Sequence, residues 1–221
     1  MRTDGRLFFR PTAGNRSHPA HRAGWSLTRK GFGMIDYSRL KEIILNSAPG
    51  GPPAGDSHMP ASVFLLLFNR SDPRILAIQK SDTEGYPWRN QVALPGGHLE
   101  RTDAGPVAAA FRELEEELKI SRDQVDFIGS IGHFQTLTRP RDIEAFIGLW
   151  NGKGPLRYDS TEISRILELP LRKMFRIHQV KHYHERRPNL RELEYPYEDV
   201  VIWGATAQII HHFIELVYPL L

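Results

Sequence analysis

Apolar residues recur along this chain in two rhythms, short runs suited to strands and a few stretches with a period near 3.6. Tyr37 to Leu45 puts Leu40, Ile43 and Ile44 on one side and predicts an amphipathic helix. It runs into Ala48-Pro49-Gly50-Gly51-Pro52-Pro53-Ala54-Gly55, a composition that cannot continue a helix and reads as a loop. Ser62–Phe68 and Arg74–Gln79 predict two strands of a hairpin, joined through the turn residues Asn69-Arg70-Ser71-Asp72-Pro73. A polar stretch then leads to Gln91–Leu94, to Pro95-Gly96-Gly97, and to a long helix from about Val107 to Leu118. Val125–Ile131 and Ile143–Trp150 predict strands, with Thr136, Thr138, Arg139 and Arg141 in the polar connection. Ser160, or Thr161 one residue later, is an N-cap candidate that predicts a helix through Leu167. Ile177–His184 is expected to pair with Leu190–Tyr195 around Arg186-Arg187-Pro188-Asn189. A last helix, about Ala205 to Val217, has Ile209, Ile210, Phe213, Leu216 and Val217 as its apolar face. There is no internal repeat and no regular βαβ alternation, so an α+β or sandwich arrangement is expected rather than a doubly wound sheet.

Composition narrows the function more than the fold. At 221 residues, 40% apolar and 25% charged, the chain can build one domain with a full core plus terminal extras. It has no cysteine, which excludes disulfides and thiolate metal sites. No apolar run approaches the ~18–20 residues needed to span a bilayer, so no membrane span is expected. Residues 1–33 hold seven basic residues and one acid, Asp4, which leaves 22 basic and 25 acidic residues for the rest. The body is therefore mildly acidic, the pI of 9.2 is no argument for nucleic-acid binding, and none is expected. The first 33 residues read as a basic, disordered arm, as a targeting peptide, or as sequence preceding a true start at Met34. Residues 34–221 are expected to form a single domain, cytoplasmic, with a homodimer left open.

The long helix carries the candidate chemistry. On a helical wheel with Val107 at zero, Phe111, Leu114 and Leu118 fall within about 40° of it and enter the core. Glu113, Glu116 and Glu117 fall between roughly 180° and 280°, flanked by Arg112 and Lys119, with Glu115 apart. Such carboxylates repel one another by ~0.2–0.5 kcal/mol per pair. A hard divalent cation reverses that penalty. A glutamate-rich helix is more often a solvated face, but two neighbours favour a site. Ala109 and Ala110, one turn earlier, are expected to leave room for a ligand. Pro95-Gly96-Gly97 offers backbone free of Cβ atoms to an anion or a metal, and Pro106 suits the first helical turn.

The pattern Gly97-x5-Asp103-x8-Arg112-Glu113-Leu114-x-Glu116-Glu117-x-Lys119-Ile120 resembles the Nudix hydrolase signature, Gly-x5-Glu-x7-Arg-Glu-U-x-Glu-Glu-x-Gly-U with U aliphatic. The resemblance covers roughly residues 60–220. It implies an α/β/α sandwich with a mixed central sheet and cleavage of a diphosphate linked to a nucleoside. It also implies Mg²⁺ or Mn²⁺, held chiefly by Glu116 and Glu117 with Glu113 and the Gly97 carbonyl, offsetting phosphate charge and acidifying a water. Arg112 would orient Glu113. The base would be Glu113 or a glutamate of a later loop, for which Glu162 is the candidate, although a first-turn helical Glu is an equally good account of it. Gly96, Gly97 and Arg89 would touch the nucleotide-like substrate.

There are departures from the pattern. Asp103 replaces a Glu with one extra residue before Arg112, a spacing also seen in the coenzyme A diphosphatase branch. Lys119 replaces a Gly expected in a left-handed conformation after the helix. Ile78-x-Lys80-Ser81, and Tyr197-x-x-x-Val201-Ile202-Trp203-Gly204-Ala205-Thr206-Ala207, also resemble that branch, which makes coenzyme A or its derivatives the leading substrate. Tyr86 and Asn90, however, stand where the branch has a spaced Arg and Gly. ADP-ribose, dinucleoside polyphosphates, oxidised nucleotides or a non-catalytic nucleotide-binding role are the alternatives. An isomerase relying on a catalytic cysteine is excluded. Trp203 reads as core before a stacking platform, and Arg89 and Arg141 as solvated before phosphate contacts. His178, His182 and His184 read as exposed positions of a strand rather than a metal site, and His211-His212 as structural.

Overall fold

The computed structural model describes residues 35–47, 49–51, 59–85, 87–136, 141–184, 186 and 188–221. The readings of residues 1–33 and Met34, most of the Pro/Gly-rich loop, and those of Tyr86, Thr138, Arg139 and Arg187 lie outside the described residues. All described residues belong to one unit, Phe32–Leu221.

Strand β1 (Met59–Phe68) runs through the middle of a seven-stranded mixed sheet. Its order is β3 (Val92–Ala93), β2 (Arg74–Lys80), β1, β6 (Arg141–Trp150), β5 (Val125–Gln135), with β4 (Gly96–His98) also on β1 and β7 (Ile163–Pro170) on β2. β1 and β6 are parallel, from Met59↔Arg141 to Leu67↔Leu149, and the other pairings are antiparallel. One edge of β1 is shared. Its C-terminal half, Leu66 to Phe68, takes β2, and Ala61 to Val63 takes β4.

Side chains alternate across the sheet as the pleat requires. Leu65 and Leu67 of β1, Ile75 and Ala77 of β2, and Ala145 and Ile147 of β6 face one core. That core also takes Leu40 and Ile44 of α1 (Tyr37–Asn46), Leu171 and Met174 of α3 (Leu171–Val180), and Ile210 and Phe213 of α4 (Gly204–Val217). Phe64, Leu66, Leu76, Ile78 and Phe146 face the other core with Phe111, Leu114 and Leu118 of α2 (Pro106–Leu118). A mixed sheet between helical layers is the expected α+β sandwich. The Asp36 carboxylate caps α1 by accepting from the Ser38 and Arg39 N–H groups. Among the described residues no helix is long and apolar enough to cross a membrane.

Two expected elements are replaced. The helix expected from Ser160 to Leu167 is strand β7. Asp159, not Ser160, organises its start, accepting from the Thr161 N–H at 2.8 Å and hydroxyl at 2.7 Å in a turn. The helix-like spacing has a physical origin. Ile163 pairs with Lys80 and Arg165 with Gln79, so Ser164 is an extra residue that flips the alternation. Ile163 and Ile166 consequently face the α2 core and Leu167 the opposite one, which mimics an i, i+3, i+4 pattern. The strand expected at Ile177–His184 is the end of helix α3 and a following turn. Leu171, Met174 and His178 form its buried stripe. Its expected partner instead contributes Tyr195 to β8 (Tyr195–Tyr197), which pairs with β9 (Val200–Ile202).

Candidate active site

Helix α2 starts at Gly105, whose φ of 148° favours glycine, with Pro106 in its first turn. Phe111 anchors it edge-on to Phe64 of β1 at 4.8 Å between ring centroids. Ala109 and Ala110 are fully buried beneath the helix, so they do not provide the expected space for a ligand. The helix ends at Lys119, which takes the left-handed conformation (φ 57°, ψ 34°), and the Ile120 N–H donates to the Leu114 carbonyl. A lysine thus makes the turn for which glycine is usual, and the loop geometry is kept.

Arg112 organises the polar face. Its Nε and Nη2 donate to both oxygens of Asp103 at 3.1 and 3.2 Å, and Nη2 also donates to the His98 carbonyl at 3.0 Å. Nη1 donates to Glu113 at 3.1 Å and Glu116 at 2.8 Å. The hydrogen bonds from Arg112, then that from the Glu100 N–H, hold the Asp103 carboxyl below its ordinary pKa. Asp103 in turn keeps Arg112 charged. Burial raises the Glu113 pKa, with Arg112 opposing and Glu117 adding to the rise.

The adjacent glutamates 116 and 117 differ sharply. Glu117 is only 8% exposed and lies against Lys80 Nζ at 2.5 Å, while its other oxygen accepts from the Gly96 N–H at 3.0 Å. Glu116 is 58% exposed at its side chain and rests on Arg112. Gly96, at φ 143°, lies so close to β1 that a Cβ would strike the Ser62 carbonyl oxygen, and a Cβ at Gly97 would strike the Glu113 carboxylate.

Glu113, Glu117, Gly96, Gly97 and Glu162 line one cavity of about 310 Å³. Glu116 does not line it in this arrangement, and Arg89 is paired with Asp82 at 3.1 Å away from it. The cavity also takes Lys80, Trp88, His98, Thr136, Arg141, Trp203 and the first residues of α4. Arg141 lies over the Trp88 ring at 4.3 Å, and Nη1 is 3.4 Å from His98 Nδ1. Burial, and then Arg141, lower the His98 pKa. Trp203 is 42% exposed and faces this cavity, not the core. Sequence reasoning missed Lys80 as the counter-charge of Glu117, and missed Trp88 and His98. Asn90 takes φ 59°, so an asparagine adopts the left-handed conformation where the resemblance places Gly.

The donor set suits a hard divalent cation, since it is carboxylate oxygens beside a glycine backbone that admits no side chain. Lys80 and Arg112 lie against these carboxylates and balance their charge. A cleft combining clustered carboxylates, cations and aromatic walls has the make-up of an enzyme active site. Comparison with known proteins is consistent with that. The NUDIX domain pattern matches residues 58–193. The chain is 32% identical over 157 residues to the uncharacterized Nudix hydrolase NudL of Escherichia coli K12, covering 70% of this chain and 80% of that one. The same values hold for NudL of Shigella boydii serotype 4. The NUDIX domain of Shewanella oneidensis NrtR, complexed with ADP ribose, is 14% identical with a TM-score of 0.49, covering 77% of this chain and 94% of that one. The chain belongs to the Nudix hydrolase family, whose members act on nucleoside diphosphate derivatives and generally use divalent metal ions.

Proposed function

We propose that this protein is a Mg²⁺- or Mn²⁺-dependent diphosphatase whose preferred substrate is coenzyme A or a coenzyme A derivative. The observation that carries the reading is the convergence of Glu113 and Glu117 with Gly96 and Gly97 in one cavity walled by Trp88, Arg141 and Trp203. Both segments that resemble the coenzyme A branch contribute to that cavity, through Lys80 and through Trp203, Gly204, Ala205 and Thr206. Glu116, Glu117 and the Gly97 carbonyl would chiefly hold the metal, with Glu113 at its edge, and the metal when bound would neutralise the diphosphate and acidify a water. Arg112, itself fixed by Asp103, aims Glu113 at the cavity. Glu113 takes the proton of the attacking water, and Glu162 is the second candidate for that role. Arg141, braced on Trp88, binds a phosphate oxygen.

The test is turnover with Mg²⁺ or Mn²⁺ of coenzyme A, an acyl-coenzyme A, ADP-ribose, NADH and diadenosine polyphosphates. Coenzyme A or its acyl derivative is expected to have the highest kcat/KM. Glu116→Gln should abolish turnover with an unchanged circular dichroism spectrum. Wild-type turnover by that variant would remove the metal assignment. Preference for ADP-ribose or a dinucleotide would overturn the substrate, and binding without turnover across the panel would leave a nucleotide-binding module.

A further inference from the structure

At the end of the fold where α3, the turn after it and α4 meet, His178, His184 and Glu215 bring three ligand atoms within 4.8 Å of one another. His178 Nε2 is 2.6 Å and His184 Nδ1 3.1 Å from the same Glu215 oxygen. None of the three lines the α2 cavity. We propose that these residues form a zinc site, independent of the diphosphatase reading.

The donor types suit that ion. Two imidazole nitrogens and one carboxylate oxygen are a borderline set that favours zinc over the hard, oxygen-seeking Mg²⁺. The surroundings orient the ligands as metal-binding histidines are oriented. His178 is wholly buried, and its remaining nitrogen, Nδ1, is 2.9 Å from the Tyr195 hydroxyl, a partner that fixes the ring with Nε2 toward Glu215. The His184 ring stacks flat on Tyr218, 3.5 Å between centroids and 3° between planes. Ligand atoms on one tetrahedral zinc lie about 3.3–3.6 Å apart, given bonds of ~2.0–2.2 Å. The three atoms, within 4.8 Å of one another, re-space by about an ångström to reach that geometry, Glu215 drawing back from His178 Nε2 and His184 moving in from its exposed turn. Three protein ligands leave a fourth position on the ion, and His184 and Glu215 are partly exposed.

The full chain, stripped with chelator, would be loaded with zinc chloride in excess magnesium chloride, gel-filtered, and its zinc measured. Wild type is expected to retain one zinc per chain and to melt at a higher temperature with zinc than without. His184→Ala should retain none and gain no thermal stability from zinc, with an unchanged circular dichroism spectrum in chelator. Tyr195→Phe should keep the stoichiometry but bind about 10- to 100-fold more weakly. A wild type that retains no zinc, or a His184→Ala that retains as much as wild type, would overturn the proposal. So would zinc lost from Glu116→Gln but kept by His184→Ala.

Discussion

The glutamates of α2 and the Glu215 cluster are both carboxylates beside nitrogen bases, but they are assembled by different rules. On α2, Glu113, Glu116 and Glu117 come from one helix at i, i+3 and i+4, and fixed cations, Arg112 and Lys80, balance them. Around Glu215, the partners come from α3 and from the turn after it, and they are histidines. The first cluster carries permanent countercharges. The second includes His178, which burial pushes toward its neutral form while Glu215 pulls the other way. A helix repeat writes a site into contiguous sequence, whereas a site joined across helices leaves no local trace.

The largest expected effect tests whether α2 performs chemistry or merely stores charge. Glu113→Gln should lower kcat by about 10²–10⁴-fold, the range for loss of a general base. Glu162→Gln should change it little, and the reverse result would transfer the base to Glu162. Next comes the dependence on cations. Lys80→Met removes the cation from the nearly buried Glu117, leaving it the Gly96 N–H, and should destabilise the chelator-treated protein by about 3 kcal/mol in urea unfolding. Mg²⁺ should recover part of that loss and stabilise the variant more than wild type. Equal stabilisation of both would mean that the ion and Lys80 do not share Glu117.

The two regions should also respond to acid at different pH. Burial, with a smaller push from His211, lowers the His212 pKa in the folded chain. Its contribution to stability is therefore present above the unfolded value of about 6.5 and lost as pH falls through the folded one. Asp103 is also depressed, by Arg112, so its contribution is present above about pH 3.9 and lost only below that. Thermal melts in chelator should show a decline below neutrality that His212→Gln makes shallower, with buried His178 supplying part of what remains, and that Asp103→Asn leaves in place. The smallest effect is at the end of α2. Lys119→Gly should stabilise by up to about 1 kcal/mol, because glycine occupies the left-handed conformation without the steric cost that Lys119 carries. Destabilisation there would show that the Lys119 side chain has a role beyond the turn.

Much of the fold around the sheet was legible in the chain. The core face of α2, the hairpin of β1 and β2, and helices α1 and α4 all follow from periods of 3.6 or 2 confined to contiguous residues. Strand β7 was not legible, since the bulge at Ser164 gave it the spacing of a helix. Nor was α3, whose buried histidine looked like one of three exposed ones. Trp203 faces the cavity because of where β9 delivers it to the start of α4. The departures at Lys119 and Asn90 looked damaging only until their φ values showed that each side chain tolerates the left-handed conformation.

By itself the sequence determined that α2 has an acidic face opposite a core face, that no thiolate chemistry is available, and that the signature of a Nudix hydrolase is present. Tertiary structure alone decided that Glu117 is nearly buried against Lys80 while Glu116 stays exposed beside Arg112. It alone decided that Glu162 shares a cavity with Glu113, and that His178 meets Glu215. The physical reason is range. A helix repeat is set by neighbours within one or two turns, whereas burial and countercharge depend on which distant strand or helix the folded chain brings alongside.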